Sequence, residues 1–163
     1  MSIRSILVGT VAGAVGTAAL DLATYTDMVA RARPASETPS EFVKKLAQDH
    51  GIAPLTGDDD AAKNRRSGTG ALLGYANGLG IGALYGLLRP ALRGVPLPLA
   101  ALAAGAAAMA LSDVPLVRTG VTDPKTWGTS GWLADTIPHA LYGLAVAVTF
   151  EALAGPGDQA EHD

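Results

Sequence analysis

Long uncharged runs are the feature that most constrains how this chain of 163 residues can fold. Ser67 to Leu88 carries no charged residue over 22 positions, and Gly94 to Ser112 none over 19. A helix needs about 20 predominantly apolar residues to cross a bilayer, so both runs are close to spanning length. Ser5 to Leu20 and Thr136 to Phe150 are shorter, and amphipathic residues extend them. We therefore predict four transmembrane helices, at about 5–31, 67–88, 96–113 and 132–154.

Two other interpretations of these runs stay open. Arg4 precedes the first apolar stretch, which is also typical of a signal peptide. The mean hydropathy of +0.26 is modest for a protein with four spans, so a soluble helical bundle is the second alternative.

The composition excludes several classes of function. The chain has no cysteine, which rules out disulfides, thiolate metal sites, iron–sulfur clusters and a thiol nucleophile. Its 12 basic and 15 acidic residues give a net charge of −3, so nucleic acid is not expected as a partner. No nucleophile elbow, P-loop or dinucleotide fingerprint occurs, and the chain offers too few ligands for a haem or zinc site. We therefore predict no enzymatic chemistry, no metal and no cofactor.

A register of glycines marks the second predicted span. Five glycines follow one another at a spacing of four residues: Gly70, Gly74, Gly78, Gly82 and Gly86. In water each would cost a helix about 0.8–1.0 kcal/mol relative to alanine, whereas in lipid small residues let two helix backbones approach closely. The first span carries Gly9 and Gly13 at the same spacing. We predict an all-α, four-helix transmembrane bundle packed through a glycine zipper, with compositional bias towards glycine as the alternative explanation.

Asn77 is the single amide inside the apolar part of the second span, next to Gly78 of the glycine register. An amide in a membrane-spanning helix hydrogen-bonds to a neighbouring helix and contributes about 0.6 kcal/mol. We therefore predict that Asn77 forms an interhelical contact.

The segment between the first two spans, 32–66, is polar and is predicted to contain a short amphipathic helix. Thr38 and Glu41 fit a capping box at its start, and Gly51 is placed to end it. Three aspartates at 58–60 are expected to cap the second span, because a helix N-terminus favours acidic groups.

The arrangement of loops predicts an orientation. We expect one integral membrane domain over 1–154 and a disordered tail over 155–163. Four crossings place both polar loops on one side with nine Lys and Arg residues, against three on the other side. The positive-inside rule then predicts that the polar loops are cytoplasmic and both termini are outside. Glu151, on the outer side, is expected to pair with one of three arginines: Arg4, Arg89 or Arg93.

Ionisable residues gather at the loop side of the predicted spans. A charge at the centre of a span costs about 2.5–3.5 kcal/mol on insertion scales, so such residues pair or face water. We predict a polar site whose deepest members are Asp21, Asp113 and His139, joined by Tyr25 and Asp27. Carboxylates and a histidine can relay protons, hold a cation or receive a basic group of a partner.

A structural interpretation of the same residues also stays open. Asp113 would then cap its local turn, and His139 would hydrogen-bond within the bundle. Four flanking charges would be ordinary interfacial groups: Asp27, Arg65, Arg66 and Asp135.

These features favour a non-enzymatic accessory or interaction subunit. A small proton or cation transporter or channel component that uses Asp21, Asp113 and His139 is the second hypothesis, and a membrane enzyme is the third. The expected partners are the lipid bilayer and either another membrane protein or a second copy of the chain.

The fourth span contains the histidine-led segment HALYG, beginning at His139. Together with the polar first loop and the repeated small-residue helices, it resembles the YagU-like family of bacterial inner-membrane proteins. The resemblance extends as a pattern over most of the chain and includes no catalytic motif. It implies a multi-pass inner-membrane protein without an assigned chemistry, and no functional residue is carried over from it.

Overall fold

The computed structural model describes residues 2–155, and all regular secondary structure in that range is helical. Five α-helices follow one another: α1 (Ile3–Arg31), α2 (Thr38–His50), α3 (Asp60–Leu88), α4 (Leu97–Arg118) and α5 (Gly128–Ala154). Short 3₁₀ helices lie in the connections, at Ala53–Leu55, Arg89–Leu92 and Pro124–Thr126. The expected tail from position 156 onwards lies outside the described residues.

Four of the helices, α1, α3, α4 and α5, are long and apolar enough to cross a membrane. They coincide with the four predicted spans, but three ends differ by four residues or more. α3 begins at Asp60 rather than 67, α4 ends at Arg118 rather than 113, and α5 begins at Gly128 rather than 132. The uncharged runs underestimate these helices because charged and polar residues can form the end turns of a helix at the membrane–water boundary.

The start of α3 is fixed by an acidic cap, as predicted. The Asp59 Oδ1 atom accepts a hydrogen bond from the Ala62 N–H at 2.9 Å. This bond holds the pKa of Asp59 below its ordinary value of 3.8. The carboxylate of Asp59 is therefore stabilised in its ionised form when α3 is folded, and protonation of Asp59 weakens the cap.

We expect this cap to make α3 sensitive to acid. Because the folded-state pKa of Asp59 is lowered, its contribution to stability is present above the unfolded-state pKa and disappears as the pH falls through the folded-state pKa. Asp59→Asn keeps a capping side chain that does not titrate. Circular dichroism between about pH 5 and about pH 2 should show a smaller loss of helix in this variant. Equal losses in the two proteins would contradict the role of Asp59.

α2 packs on the beginning of α3 at one end of the bundle. Its buried face carries Val43 and Ala47, and Pro39 lies against Gly70 of α3. This is the amphipathic helix that the pattern predicted in the first polar segment, and it contacts protein along that face.

The predicted capping box of α2 does not form. The N-cap position is Glu37, whose side chain makes no capping hydrogen bond. The Thr38 hydroxyl instead accepts a hydrogen bond from Ser36 Oγ at 3.0 Å, so it is engaged upstream of the helix. The C-terminus is as predicted, because Gly51 adopts the left-handed conformation with φ of 69°.

Arg66 on α3 is buried and is not the ordinary interfacial charge of the structural interpretation. Its guanidinium Nη1 donates to the carbonyl oxygens of Leu55 and Gly57 at 3.0 and 2.6 Å. It therefore holds the segment that follows α2 against α3. On the same side, Lys44 Nζ lies 2.7 Å from Asp58 Oδ1, and this pairing lowers the pKa of Asp58.

The bundle is built around α1, which packs between α3 and α5, while α4 packs mainly against α5. The core between these helices consists mostly of small residues, with few large buried side chains. Tyr142 and Val146 of α5 are the largest side chains that are fully buried among residues 2–155.

Glycines bring α1 and α3 into backbone contact. A Cβ placed on Gly82 would lie 2.5 Å from the Gly13 Cα atom, and one placed on Gly86 would lie 2.9 Å from the Gly9 Cα atom. Gly78 lies in the same contact, against Thr17 of α1. No side chain larger than hydrogen fits at Gly82 or Gly86 without moving the backbone of α1, whereas at Gly78 the close atom belongs to the Thr17 side chain.

The other two members of the glycine register lie elsewhere. Gly70 faces Pro39 of α2, and at Gly74 no described atom outside the neighbouring backbone of α3 lies within 4 Å of the position a Cβ would take. A spacing of four drifts slowly around a helix, so a register of five cannot keep one neighbour along its whole length. A second close contact joins α4 to α5, where a Cβ on Gly143 would lie 2.6 Å from the Gly105 N atom.

The two ends of the bundle differ in chemistry. We call the end with segments 32–59 and 119–127 the loop end, and the end with the chain start and the α3–α4 connection the terminal end. At the terminal end Arg89 Nε lies 2.6 Å from Glu151 Oε1. This confirms the expected pairing of Glu151 with an arginine and joins α5 to the residues that follow α3.

Candidate functional site

An open cavity of about 750 Å³ lies at the loop end of the bundle. We call it the loop-end cavity. All five helices contribute to its wall, because α1 ends there, α3 and α5 begin there, and α2 lies across that end. Its size falls within the range of ordinary small-molecule sites.

The cavity brings together most of the predicted polar site. Asp21 and Tyr25 of α1, Asp113 of α4 and His139 of α5 all line it. Asp27 is not among the lining residues and instead bonds to two arginines at the end of α1. Residues from three helices that are distant in sequence thus line one cavity.

The densest polar cluster joins α4 to α5. His139 Nδ1 lies 2.9 Å from the carbonyl oxygen of Asp135 and 3.1 Å from its Oδ1 atom. Both are acceptors, so this arrangement favours a hydrogen on Nδ1 and leaves Nε2 for another partner. The structural interpretation made Asp135 an ordinary interfacial charge, whereas in the structure it contacts both His139 and Asp113.

Asp113 and Asp135 are neighbouring carboxyl groups. The Asp135 Oδ2 atom is buried and has no hydrogen-bond donor among the described residues. An ionised Asp113 can only accept, so it satisfies that oxygen only when it carries a proton. Two adjacent carboxylates repel one another unless a proton or a cation lies between them. A proton or a cation between the two carboxyl groups would remove this repulsion.

A second polar contact crosses the cavity wall from α1 to α3. The Tyr75 hydroxyl donates to Asp21 Oδ2 at 3.4 Å, a long and weak hydrogen bond. Sequence reasoning missed Tyr75, because a tyrosine beside a glycine register gives no signal of a polar role. Asp21 also lines the cavity.

Asn77 joins α3 to α4, as predicted. Its Nδ2 atom donates to the Ala108 carbonyl oxygen at 3.0 Å and to Ser112 Oγ at 2.6 Å. The Asn77 Oδ1 atom is buried without a described partner.

Asn77→Leu is expected to weaken the α3–α4 contact by about 0.6 kcal/mol and by no more than about 1.7 kcal/mol. The reason is the loss of two donated hydrogen bonds at a place where α4 has few other contacts with α3. SDS titration of the purified protein in mixed micelles, followed by circular dichroism, measures the change. Ser112→Ala should give a smaller loss, because the bond to Ala108 remains; an effect larger than that of Asn77→Leu would contradict this assignment.

The cavity ends at Tyr142 within the described part of the chain. The buried Tyr142 hydroxyl donates to the Gly78 carbonyl oxygen at 2.6 Å, between α5 and α3. Beyond that point the glycine contacts of α1 with α3 fill the space between the helices. Among residues 2–155, none at the terminal end lines the loop-end cavity.

Two arginines stand at the rim of the cavity. Arg31 Nη2 and Arg33 Nε each lie 2.5 Å from the same Asp27 Oδ2 atom. Arg31 Nη1 also donates to Ser130 Oγ, which links the end of α1 to the first turn of α5. One carboxylate shared by two guanidinium groups leaves the rim with a surplus of positive charge.

No group of three or more His, Asp or Glu side chains in residues 2–155 is placed to hold a metal ion. Asp113, Asp135 and His139 are close together, but they do not converge on one point as metal ligands do. Carboxyl groups and an imidazole can bind a proton or a hydrogen-bonding cation.

The HALYG segment that resembles the YagU-like family forms part of α5, and two of its members, His139 and Tyr142, line the cavity. The resemblance itself stays a prediction. Comparison of the chain with protein-family models, with curated proteins and with solved structures found no match.

Proposed function

We propose that this chain is a multi-pass protein of a bacterial inner membrane, whose four long helices form a transmembrane bundle packed through a glycine zipper. The outward faces of these helices support the proposal. Leu7, Leu72 and Leu102, on three different helices, are each at least 60% exposed. Apolar surface spread over all four helices is unfavourable in water and is covered by hydrocarbon in a bilayer.

The excess of basic residues at the loop end supports a cytoplasmic location for that end. Because the chain has no cysteine, a single introduced cysteine gives an unambiguous label. Asp123→Cys, at the loop end, should react with an impermeant maleimide only after the cells are opened. Gly94→Cys, at the terminal end, should react in intact spheroplasts. The reverse pattern would contradict this orientation, and recovery of the protein in the soluble fraction would contradict the membrane proposal.

The loop-end cavity supports a non-enzymatic role as an accessory or interaction subunit that binds a positively charged group. One observation carries this role: the buried Asp135 Oδ2 atom lacks a donor beside the Asp113 carboxyl group. A cationic N–H donor satisfies such an oxygen and neutralises the pair, and charge-assisted hydrogen bonds of this kind are about twice as strong as neutral ones. The group can belong to a solute or to a partner protein.

A thermal-shift assay with the purified protein tests this binding role. We expect 6-aminohexan-1-ol, which carries one ammonium group, to raise the unfolding temperature of the wild type and not that of Asp135→Asn. Glu41→Gln, an exposed carboxylate on α2 outside the cavity, is the matched control and should respond like the wild type. A wild type that does not respond, or an Asp135→Asn variant that responds fully, would refute the role.

Proton or cation transport is the second candidate function, and the adjacent Asp113 and Asp135 carboxyl groups beside His139 favour it. Such a transporter would need a second conformation, because the cavity ends at Tyr142. Proteoliposomes loaded with a pH-sensitive dye measure the flux. Flux in the wild type that is lost in Asp21→Asn or His139→Ala would establish transport over a passive subunit, and absence of flux in the wild type would exclude it.

A membrane-protein partner or self-association completes the proposal of an accessory subunit. The exposed apolar faces of the long helices support such contacts as well as contacts with lipid. Purification in a mild detergent, with mass spectrometry of the copurifying proteins and measurement of the mass of the complex, tests it. A monomer without stoichiometric partners would contradict this part of the proposal.

A further inference from the structure

The loop-end cavity carries two opposite sets of charges at two depths. The carboxyl groups of Asp21, Asp113 and Asp135 line it several residues inside their helices, and the guanidinium groups of Arg31 and Arg33 line it at and after the end of α1, which we call the rim. A site for a simple cation needs only the inner set. The rim arginines would repel a cation as it enters. A ligand that contacts both the carboxyl groups and the guanidinium groups would instead use the rim charge.

The rim keeps an uncompensated positive charge. Both arginines are bonded to the same oxygen of Asp27, and the remaining guanidinium hydrogens are not consumed by that carboxylate. Arg33 also donates to the carbonyl oxygen of Pro34, and Arg31 donates to Ser130, so the positions of both groups are fixed at the mouth. A planar guanidinium fixed in this way is suited to a carboxylate or a phosphate.

The helix α5 gives a measure of the distance between the two sets. Arg31 is bonded to Ser130, and Asp135 lies five residues further along the same helix. At 1.5 Å of rise per residue, the inner carboxylate lies about 7.5 Å deeper than the rim contact. A ligand that reaches both sets must therefore separate its charges by roughly this distance.

We propose that the loop-end cavity binds a small zwitterion, with its ammonium group against Asp113 and Asp135 and its acidic group against Arg31 and Arg33. This inference rests on the cation-binding role proposed above and adds the second, anionic contact. The ammonium group replaces the proton that the two carboxyl groups would otherwise share. The acidic group takes up the surplus positive charge that Asp27 leaves at the rim.

The probe for this inference is 6-aminohexanoate, whose two charged groups can be separated by about the required distance. Its controls keep the length and remove one charge: 6-aminohexan-1-ol lacks the carboxylate, and 6-hydroxyhexanoate lacks the ammonium group. A third control, 3-aminopropanoate, keeps both charges at a shorter separation. Isothermal titration in nanodiscs of phosphatidylglycerol avoids competition from zwitterionic lipid headgroups.

We expect the wild type to bind 6-aminohexanoate at least about tenfold more tightly than the alcohol, the hydroxy acid or the shorter amino acid. Arg33→Gln should abolish the preference over the alcohol while the alcohol still binds. Arg118→Gln removes the same charge from an exposed position outside the cavity and should leave the preference intact. Because the ligand series is measured first on the wild type, the test does not depend on the folding of a variant.

Each result has a defined meaning. Equal affinity for 6-aminohexanoate and 6-aminohexan-1-ol would overturn the zwitterion and leave the cation-binding role standing. No binding of either amine would overturn both. Tighter binding of 6-hydroxyhexanoate than of 6-aminohexanoate would also overturn both proposals. The ligand would then be bound through its carboxylate by the rim arginines alone, with no contribution from the ammonium group.

Discussion

Gly82→Ala is expected to force α1 and α3 apart and to destabilise the protein by about 1–3 kcal/mol or more. A Cβ at this position would lie 2.5 Å from the Gly13 Cα atom and 2.6 Å from the Gly13 N atom. These are backbone atoms, which cannot rotate away as a side chain can. The whole of α1 must therefore shift, and the neighbouring contact between Gly9 and Gly86 is lost with it.

Gly74→Ala is the matched control, because it is the same substitution in the same helix two turns earlier. Apart from the neighbouring backbone of α3 itself, no described atom lies within 4 Å of the added Cβ. Alanine is a better helix former than glycine by about 0.8–1.0 kcal/mol in water, so we expect stability to be unchanged or raised. SDS titration in mixed micelles, followed by circular dichroism, measures both variants. If Gly82→Ala and Gly74→Ala destabilised the protein equally, the loss of stability would not come from the contact of Gly82 with α1.

Tyr142→Ala is the second change with a large expected effect, about 3–5 kcal/mol by comparison with other truncated aromatic residues in packed interiors. The side chain is 1% exposed, packs against Gly16 of α1 and donates a hydrogen bond to the Gly78 carbonyl oxygen. Because two of these neighbours are glycines, they have no side chains that could move into the space. We expect the variant to lose stability and to extend the cavity deeper into the bundle.

Two controls separate the causes. Tyr142→Phe keeps the ring and removes only the hydroxyl, so its cost should be about 1 kcal/mol. Leu144→Ala truncates a half-exposed residue of the same helix and should cost less than either. If Leu144→Ala destabilised the protein as much as Tyr142→Ala, the loss would reflect contact with lipid or detergent rather than packing inside the bundle.

Much of the helical architecture could be predicted from local patterns. The uncharged runs indicated four long apolar helices, and all four are present. The aspartates at 58–60 indicated the cap of α3, and Glu151 indicated an ion pair with an arginine, which is Arg89. Each of these depends on residues that are neighbours in sequence, or on the alternation of chain direction that short connections impose.

The candidate site was predictable only in part. Alternation of the helices placed Asp21, Asp113 and His139 at one end, and they line one cavity there. The alternation of the helices does not indicate whether Asp135 or Asp27 belongs to the site, because both residues lie near a helix end. Only the packed helices show that Asp135 contacts His139 and Asp113, whereas Asp27 is bonded to the two rim arginines.

By itself, then, the sequence determined which segments are helices, which of them are apolar enough to cross a membrane, and toward which end the polar residues lie. The tertiary structure decided which faces meet: three members of the five-glycine register contact α1, while Gly70 faces α2 and Gly74 faces open space. The physical reason is that spacing fixes the angle between residues on one helix, but not the rotation of that helix against its neighbours. That rotation is set by contacts between residues far apart in the chain, and it also brings Asp113 to Asp135.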